Sequence, residues 1–174
     1  MKNRKNFYWA TYITICALAF ACQSGNENKK FVFKPTKNEI ADMNSYLIQK
    51  DRERIQSYFE RKGLDMTETS IGLWYSILKE GSGNFLKDND IIRYEYECEL
   101  LDGTKCYSSQ ELGAAEIQIG RSELPIGLYE GFKLLKRGGE AIFIIPPFLA
   151  YGLIGDGKKI PPRATLVYSI HVNL

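Results

Sequence analysis

The stretch that decides the fold is Pro146–Leu174, which reads PPFLAYGLIGDGKKIPPRATLVYSIHVNL. Its last ten residues alternate, and every second side chain from position 166 is apolar: Leu166, Tyr168, Ile170, Val172 and Leu174. This period of two predicts a strand with one buried face. Residues 152–162 hold too many Gly and Pro residues for a helix, yet they include Leu153, Ile154 and Ile160. An apolar loop flanked by Tyr151 and Tyr168 predicts a shallow apolar pocket with a polar rim.

The segments before this stretch read mostly as strands. Residues 71–78, 116–119 and 140–145 are predicted to be short strands, and a turn at residues 80–83 stops the first of them. Residues 92–100 alternate, with an inner face of Ile92, Tyr94, Tyr96, Cys98 and Leu100. One short amphipathic helix is predicted over residues 128–135, ahead of Gly138 and Gly139. This order predicts an α+β fold in which a curled antiparallel sheet wraps around one short helix.

Two cysteines flank the turn at residues 101–103. A three-residue loop pairs Leu100 with Thr104 and therefore Cys98 with Cys106, with Cα atoms about 5.5 Å apart or closer. A two-residue loop would place the two cysteines on opposite faces. The three-residue form is favoured because a type I turn followed by a left-handed Gly103 fits the sequence. Opposed cysteines could form a disulfide in an oxidising compartment, but cross-strand strain favours two free buried thiols.

The N-terminal segment has the pattern of a secretory signal. Lys2, Arg4 and Lys5 precede an apolar run over residues 7–21, which is too short to span a membrane comfortably. The run ends in LAFAC, and a small residue followed by Cys22 resembles the processing site of bacterial lipoproteins, although Leu18 lies one place early. We therefore expect residues 1–21 to be a lipoprotein signal peptide and Cys22 to be the lipidation site. An ordinary signal peptide with an incidental cysteine is the alternative.

The charge of the chain excludes one class of partner. The sequence has 23 Lys and Arg residues and 21 Asp and Glu residues. Removal of the signal takes away three basic residues, so that 20 basic and 21 acidic residues remain. A nucleic-acid-binding protein needs a clustered positive face, so we expect no nucleic-acid partner. The remaining 153 residues suit one domain with an appendage.

A tether and a helix are predicted between the signal and the strands. Residues 22–37 include the small polar run QSGNENKK, which is typical of a flexible tether. Residues 38–63 carry apolar side chains at helical spacing, with one break near Asp51, and end at Gly63. The run KDRER at residues 50–54 is expected to be a solvated face. The apolar stripe must pack on something, and we favour the helix's own domain over a dimer arm or docking arm.

Three runs of sequence resemble one protein family. The first run, at residues 150–168, consists of AYG, a short glycine loop and IPPRATLVY. It resembles the C-terminal signature of the FKBP-type peptidyl-prolyl cis-trans isomerases. Two further runs match the same family in the same order, namely LLDGTKCYSS at residues 100–109 and LPIGLYEGFKLLKRGG at residues 124–139. The resemblance implies an isomerase domain over residues 70–174, with an FKBP-like fold, proline-containing protein clients, no metal and no cofactor.

The resemblance also implies which side chains form the proline pocket. The catalytic candidates are Tyr151, Tyr96 and Tyr168, of which Tyr151 would offer its hydroxyl to the substrate carbonyl and Tyr168 would form an aromatic wall. The candidates for substrate binding are Cys106, Tyr107, Leu124, Pro125, Leu128 and Ile160. Tyr96 and Tyr168 also fit the inward strand pattern, so either could be a core residue. Tyr151 falls outside any strand pattern.

Four residues depart from the pattern of the family. Cys106 stands where the family usually has Phe, Tyr107 where it has Asp, and Leu128 where a tryptophan commonly floors the pocket. Pro125 occupies a position that often supplies a backbone N–H to the ligand, and proline has none. These departures leave the predicted fold unchanged, but they predict lower catalytic efficiency.

The layout predicts a membrane-anchored isomerase that assists the folding of envelope proteins. It resembles the gliding-motility-associated isomerase lipoproteins, with lipidated Cys22 anchoring the chain to the outer membrane at its periplasmic face, or to the outer leaflet of the inner membrane. Two alternatives stay open. One is a non-catalytic peptide-binding or chaperone module, and the other is a part of an envelope machine whose partner binds residues 38–63.

Overall fold

The computed structural model describes residues 34–173, so the predicted signal peptide, Cys22 and most of the predicted tether lie outside the described residues. The helices in this range are α1 (Lys37–Lys62), α2 (Ser109–Leu112) and α3 (Ile126–Phe132), with a 3-10 turn at Pro147–Leu149. The strands are β1 (Thr67–Glu68), β2 (Trp74–Lys79), β3 (Ser82–Phe85), β4 (Ile91–Leu100), β5 (Lys105–Ser108), β6 (Ala115–Gln118), β7 (Lys136–Arg137), β8 (Glu140–Ile145) and β9 (Leu166–Val172). None of the helices within residues 34–173 is long and apolar enough to cross a membrane.

The main sheet is antiparallel, with the order β1-β2-β8-β9-β4-β5 and with β6 paired to the other end of β4. Strands β3 and β7 form a separate two-stranded ribbon. Helix α3 packs on the inner face of the sheet, where Leu128 and Phe132 join the main buried core. This arrangement confirms the predicted α+β fold with a curled sheet around a short helix.

Strand β9 has the alternation that its sequence predicts. Leu166, Tyr168, Ile170 and Val172 are at most 5% exposed and face the inner core. Val167, on the opposite face, is also buried, because helix α1 covers that side of the sheet. Both faces of β9 are therefore covered near residue 167, whereas the outward Ser169 is exposed.

Helix α1 packs on its own domain through its C-terminal half. Ile55 and Tyr58 are buried against Ile144 and Val167 of the sheet. The helix ends as predicted at Gly63, whose φ of 64° is left-handed, and the Leu64 N–H donates to the Phe59 carbonyl at 3.0 Å. The N-terminal half leaves apolar side chains exposed, namely Ile40, Met43, Tyr46 and Ile48.

The prediction that residues 50–54 form a solvated face is wrong at Asp51. This carboxylate is 4% exposed and accepts a hydrogen bond from Arg163 Nη2 at 2.9 Å. A charge in a helix can be buried when a partner of opposite charge meets it, and that partner comes from a distant part of the chain. The neighbours Arg52, Glu53 and Arg54 are exposed, as predicted.

Two elements differ from their predicted bounds by three residues at one end. Residues 71–73 are not in a strand, because the Thr69 N–H donates to the Leu73 carbonyl at 2.8 Å and closes a turn around Gly72. The helix predicted over residues 128–135 is observed at Ile126–Phe132. Leu134 and Leu135, the last apolar residues of the predicted range, lie in turns that follow the helix. The sequence predicts no strand at β1, β3 or β7, and β3 overlaps the turn that it predicts at residues 80–83. The sequence signal is weak there, because each of these strands has a small or charged composition.

The hairpin of β4 and β5 confirms the loop and corrects the pairing of the cysteines. The Leu100 N–H donates to the Thr104 carbonyl at 2.9 Å, and Gly103 is left-handed, as a three-residue loop requires. Beyond the loop, Glu99 pairs with Lys105 but Cys98 pairs with Tyr107, so Cys106 is the extra residue of a β-bulge. The direct pairing of Cys98 with Cys106 is therefore wrong. Both thiols are nevertheless free, buried and in the inner core.

Candidate active site

Helix α3 is held close to strand β8 by two glycines. A Cβ atom on Gly127 would lie 2.4 Å from Ile145 Cγ2, and one on Gly131 would lie 2.9 Å from the Phe143 ring. Only hydrogen fits at these points, so the helix approaches the sheet closely and buries Leu128 beside it. Pro125 stands immediately before the first turn of the helix, and its carbonyl accepts the N–H of Leu128 at 3.0 Å.

Aromatic rings line the inner face next to Leu128. The Tyr94 and Phe132 rings meet edge to face, with centroids 4.8 Å apart, and the Tyr94 and Tyr96 centroids are 5.6 Å apart. Tyr96 lies 6.2 Å from Tyr168 on the adjacent strand β9. Offset and tilted pairs at these distances are favourable, so the rings support one another's orientation. They form a continuous aromatic wall from α3 to β9.

Residues 151–163, here named the pocket loop, close the site on one side. The Asp156 carboxylate accepts the backbone N–H groups of Lys158 and Ile160, both at 2.8 Å, and the Tyr107 hydroxyl. Burial raises the pKa of Asp156, but the hydrogen bond from Tyr107 and those from the two amides outweigh it, so the pKa lies below its ordinary value. The ionised carboxylate thus ties the loop to strand β5 and holds Ile160 in the core, where it is 2% exposed.

Tyr151 follows the 3-10 turn at the start of the pocket loop. Its carbonyl accepts the Gly155 N–H at 3.2 Å, and its side chain is 36% exposed. Burial raises the pKa of its hydroxyl, and the charge of Asp156 raises it further. Tyr151 therefore keeps its proton at neutral pH, and a neutral hydroxyl can donate to a carbonyl oxygen.

The thiols behind the aromatic wall are also neutral. Burial raises the pKa of Cys98 to about 12. Burial likewise raises the pKa of Tyr168. At neutral pH the aromatic wall and the thiols behind it thus carry no charge, while the Asp156 carboxylate and the Lys159 ammonium, 5.4 Å from the Tyr107 ring centroid, lie at the edge of the site. Within residues 34–173, no group of three or more His, Cys, Asp or Glu side chains could hold a metal ion.

The structure brings the predicted pocket residues to one region. Cys106, Leu128, Ile160 and Tyr168 belong to the main buried cluster, and Tyr96, Tyr107 and Leu124 pack against it. Pro125 adjoins the cluster through α3, and Tyr151 is close enough to Tyr96 and Cys98 for each of them to raise its pKa.

The sequence reasoning missed Asp156 and Tyr94 as residues of this site. Tyr94 was assigned only to the inner face of its strand, although its ring contacts Tyr96 and Phe132. An aspartate among Gly155, Gly157 and Lys158 reads as a solvated turn. The one signal that could have identified it is Tyr107, which replaces the usual Asp of the family and donates to this carboxylate.

The fold and this arrangement match one known family. A family model described as FKBP-type peptidyl-prolyl cis-trans isomerase matches residues 83–173, just over half of the chain. The chain belongs to this family. All the predicted pocket residues lie inside the matched FKBP domain, whereas helix α1 and strands β1 and β2 precede it.

Several relatives share the FKBP domain of this chain. The probable FKBP-type isomerase FkpA of Neisseria meningitidis is 43% identical over 102 residues, which are 59% of this chain and 37% of the relative. FkpA of Escherichia coli K12 is 32% identical over 123 residues, which are 71% of this chain and 44% of the relative. The chain therefore spans less than half the length of these curated relatives.

Solved structures show the same fold. The crystal structure of FkpA from E. coli superposes with a TM-score of 0.62 at 25% identity, covering 100% of this chain and 83% of that chain. The crystal structure of AtFKBP13 gives a TM-score of 0.58 at 27% identity, covering 62% of this chain and 96% of that chain. AtFKBP13 is thus matched over nearly its whole length by part of this chain.

Proposed function

We propose that the FKBP domain catalyses the cis-trans isomerisation of X–Pro peptide bonds and so assists protein folding. The observation that carries this proposal is the uncharged aromatic wall with the Tyr151 hydroxyl at its edge. The barrier to rotation is amide resonance, about 18–20 kcal/mol. An apolar site disfavours the charge-separated planar amide, and one hydroxyl donor is enough to orient the carbonyl of the twisted transition state. No general acid or base is needed.

Exchange spectroscopy on a proline-containing peptide tests the proposal. The full chain should accelerate the interconversion of the cis and trans forms of a Leu–Pro tetrapeptide in proportion to its concentration. The departures at Leu128 and Pro125 predict a lower rate than for a domain with an aromatic floor and a donor at these positions. Peptide binding without any acceleration would contradict the proposal and support the non-catalytic binding module.

We also propose that the chain is a lipoprotein of the cell envelope. The proposal rests on the sequence of residues 1–22, where a basic start, an apolar run and Ala21–Cys22 follow one another. An N-terminal lipid with more than one acyl chain gives stable membrane binding, whereas a single chain gives marginal binding. Cys22→Ser should release the protein from the membrane fraction or block removal of the signal. An unchanged mature mass together with unchanged membrane fractionation would contradict anchoring at this residue.

Helix α1 supports a narrower proposal, that the protein works with an envelope partner in gliding motility. The layout and the runs YLIQKDRERIQSYF and GLYEGFKLLKRGG resemble the gliding-motility-associated isomerase lipoproteins. The exposed Ile40 and Met43 lie on the half of α1 that the domain leaves uncovered. The double variant Ile40→Asp with Met43→Asp should reduce colony spreading of a gliding bacterium and leave isomerase activity unchanged. Normal spreading would remove this support.

A further inference from the structure

An ion pair with a buried carboxylate joins helix α1 to the pocket loop. Asp51 lies in the middle of α1, and within residues 34–173 no other charged residue is as buried. Arg163 Nη2 donates to Asp51 Oδ2 at 2.9 Å, and Arg163 is the last residue of the pocket loop. The pair therefore joins the helix outside the matched FKBP region to the loop that carries Tyr151 and Ile160.

The backbone at Arg163 is held in an unfavourable conformation. Its φ is 57°, in the left-handed region that residues with a side chain seldom occupy. Its N–H donates to the Gly152 carbonyl at 2.9 Å, so the end of the pocket loop is bonded to the residue next to Tyr151. Strain of this kind persists only where the surrounding contacts determine it. The contacts here are the Gly152 carbonyl and the Asp51 carboxylate.

Apolar side chains also dock the helix on the sheet. Ile55 and Tyr58 already bury the C-terminal half of α1 against Ile144 and Val167. The Asp51 carboxylate loses its hydration in this pair, whereas the Arg163 side chain stays 32% exposed, so the pair need not stabilise the fold more than well-packed apolar side chains would. The advantage of a charged pair is geometric, since one bonded arrangement is strongly preferred over any displaced one. It fixes where the base of the loop lies relative to the helix.

We propose that Asp51 is a positioning residue for the proline pocket, which acts through Arg163 and Gly152 to fix the pocket loop. The proposal rests on the proposed isomerase function. In this arrangement α1 is a part of the catalytic unit, because its position sets the place of the Tyr151 hydroxyl. The opposite side of the loop is fixed independently, by the bonds of Asp156 to Tyr107 and to Ile160.

A neighbouring residue of the same helix provides the matched control. Arg52 also pairs with the domain, and its Nε lies 3.1 Å from Glu68 Oε2. That pair reaches strand β1, which is remote in sequence from the pocket loop. Asp51→Asn removes the charge and keeps the size of the side chain. Arg52→Gln removes the charge of the control pair and leaves a shorter polar side chain. Arg163→Gln tests the other partner, at a site whose side chain is partly exposed.

The experiment measures two properties of the full chain and its variants. Asp51→Asn and Arg163→Gln should each lower kcat/KM on a Leu–Pro tetrapeptide about three- to tenfold, since small displacements of a catalytic group are costly. The double variant should lose no more than either single variant, because both act through one bond. Hydrogen exchange should become faster at the amides of Gly155 and Arg163 in these variants and stay unchanged at Phe143. Arg52→Gln should change neither property.

Two results would overturn the proposal. One is an unchanged kcat/KM together with unchanged exchange of the pocket loop in folded Asp51→Asn and Arg163→Gln. The other is an equal loss in Arg52→Gln, which would show that any weakening of the helix has the same effect. If the wild type has no isomerase activity, the proposed function fails, and loop exchange alone then decides whether Asp51 positions the loop.

Discussion

At the scale of single residues, Tyr151 is the most exposed of the three candidate catalytic tyrosines. Tyr151→Phe should lower kcat/KM about two- to tenfold, which corresponds to one hydrogen bond of about 0.5–1.5 kcal/mol. Tyr46→Phe is the control, because Tyr46 lies on the exposed half of α1. The exchange assay on a Leu–Pro peptide measures both. Full activity in Tyr151→Phe would exclude this hydroxyl as the donor.

The bond between Tyr107 and Asp156 predicts a dependence on pH. The pKa of Asp156 is lower in the folded protein than in the unfolded chain. The ionised carboxylate therefore stabilises the fold above the ordinary aspartate pKa, about 3.9, and this stabilisation is lost as the pH falls through the pKa of Asp156 in the folded protein. The hydrogen bond to Asp156 raises the pKa of Tyr107 in the folded protein. The contribution of the Tyr107 hydroxyl to stability is therefore lost as the pH rises through that raised pKa. Tyr107→Phe should therefore lower the Tm at pH 7, with the difference shrinking below about pH 4 and in strong alkali. A difference that is constant with pH would contradict the role of the hydrogen bond from the neutral Tyr107 to the ionised Asp156.

The candidate residues of the pocket could be named one by one from the sequence, but their polar contacts could not. Tyr151 and Ile160 follow from family motifs in order, because each motif fixes a position on a known fold. Asp51 meets Arg163 across 112 positions of sequence, and no local pattern encodes such a meeting. A break in an apolar stripe looks the same whether the polar residue is solvated or buried with a partner.

At the scale of elements, the hairpin shows where local reasoning ends. The turn residues determine the loop, because Gly103 adopts the left-handed conformation and the Thr104 N–H donates to Asp102 Oδ1 at 2.9 Å. The bulge at Cys106 depends on contacts beyond the hairpin. The Cys106 Sγ lies 3.8 Å from the Lys159 carbonyl of the pocket loop. The strand register predicted from a turn thus holds for the residue pairs next to the turn. It fails where another segment contacts the strand.

The contact of α3 with β8 predicts that added volume will destabilise the domain. Gly131→Ala should gain about 0.5–1 kcal/mol of helix propensity but lose about 1–3 kcal/mol from the clash with the Phe143 ring. The net result should be a lower free energy of unfolding in urea. Glu130→Ala, on the half-exposed side of the same helix, should change it by less than about 1 kcal/mol. Stabilisation by Gly131→Ala would mean that the helix can move away from the sheet.

At the scale of the whole molecule, α1 is an integral part of the fold. Ile55 is 1% exposed, and its truncation leaves a cavity between helix and sheet. Ile55→Ala should therefore lower the free energy of unfolding by about 2–5 kcal/mol. Met43→Ala is the control, because Met43 is 53% exposed and should change it by less than about 0.5 kcal/mol. If Ile55→Ala only releases the helix, far-UV circular dichroism will show a separate early transition.

Strand β9 has a consequence for how the protein is made. It lies between β8 and β4, although it follows every other strand of the sheet in the sequence. A nascent chain that has emerged only to residue 160 cannot join β4 to β8, so the two halves of the sheet stay apart. Folding must then wait for distant pairings such as Leu100 with Leu166, which form slowly. Until that moment the strands that await β9 remain unpaired and accessible to chaperones.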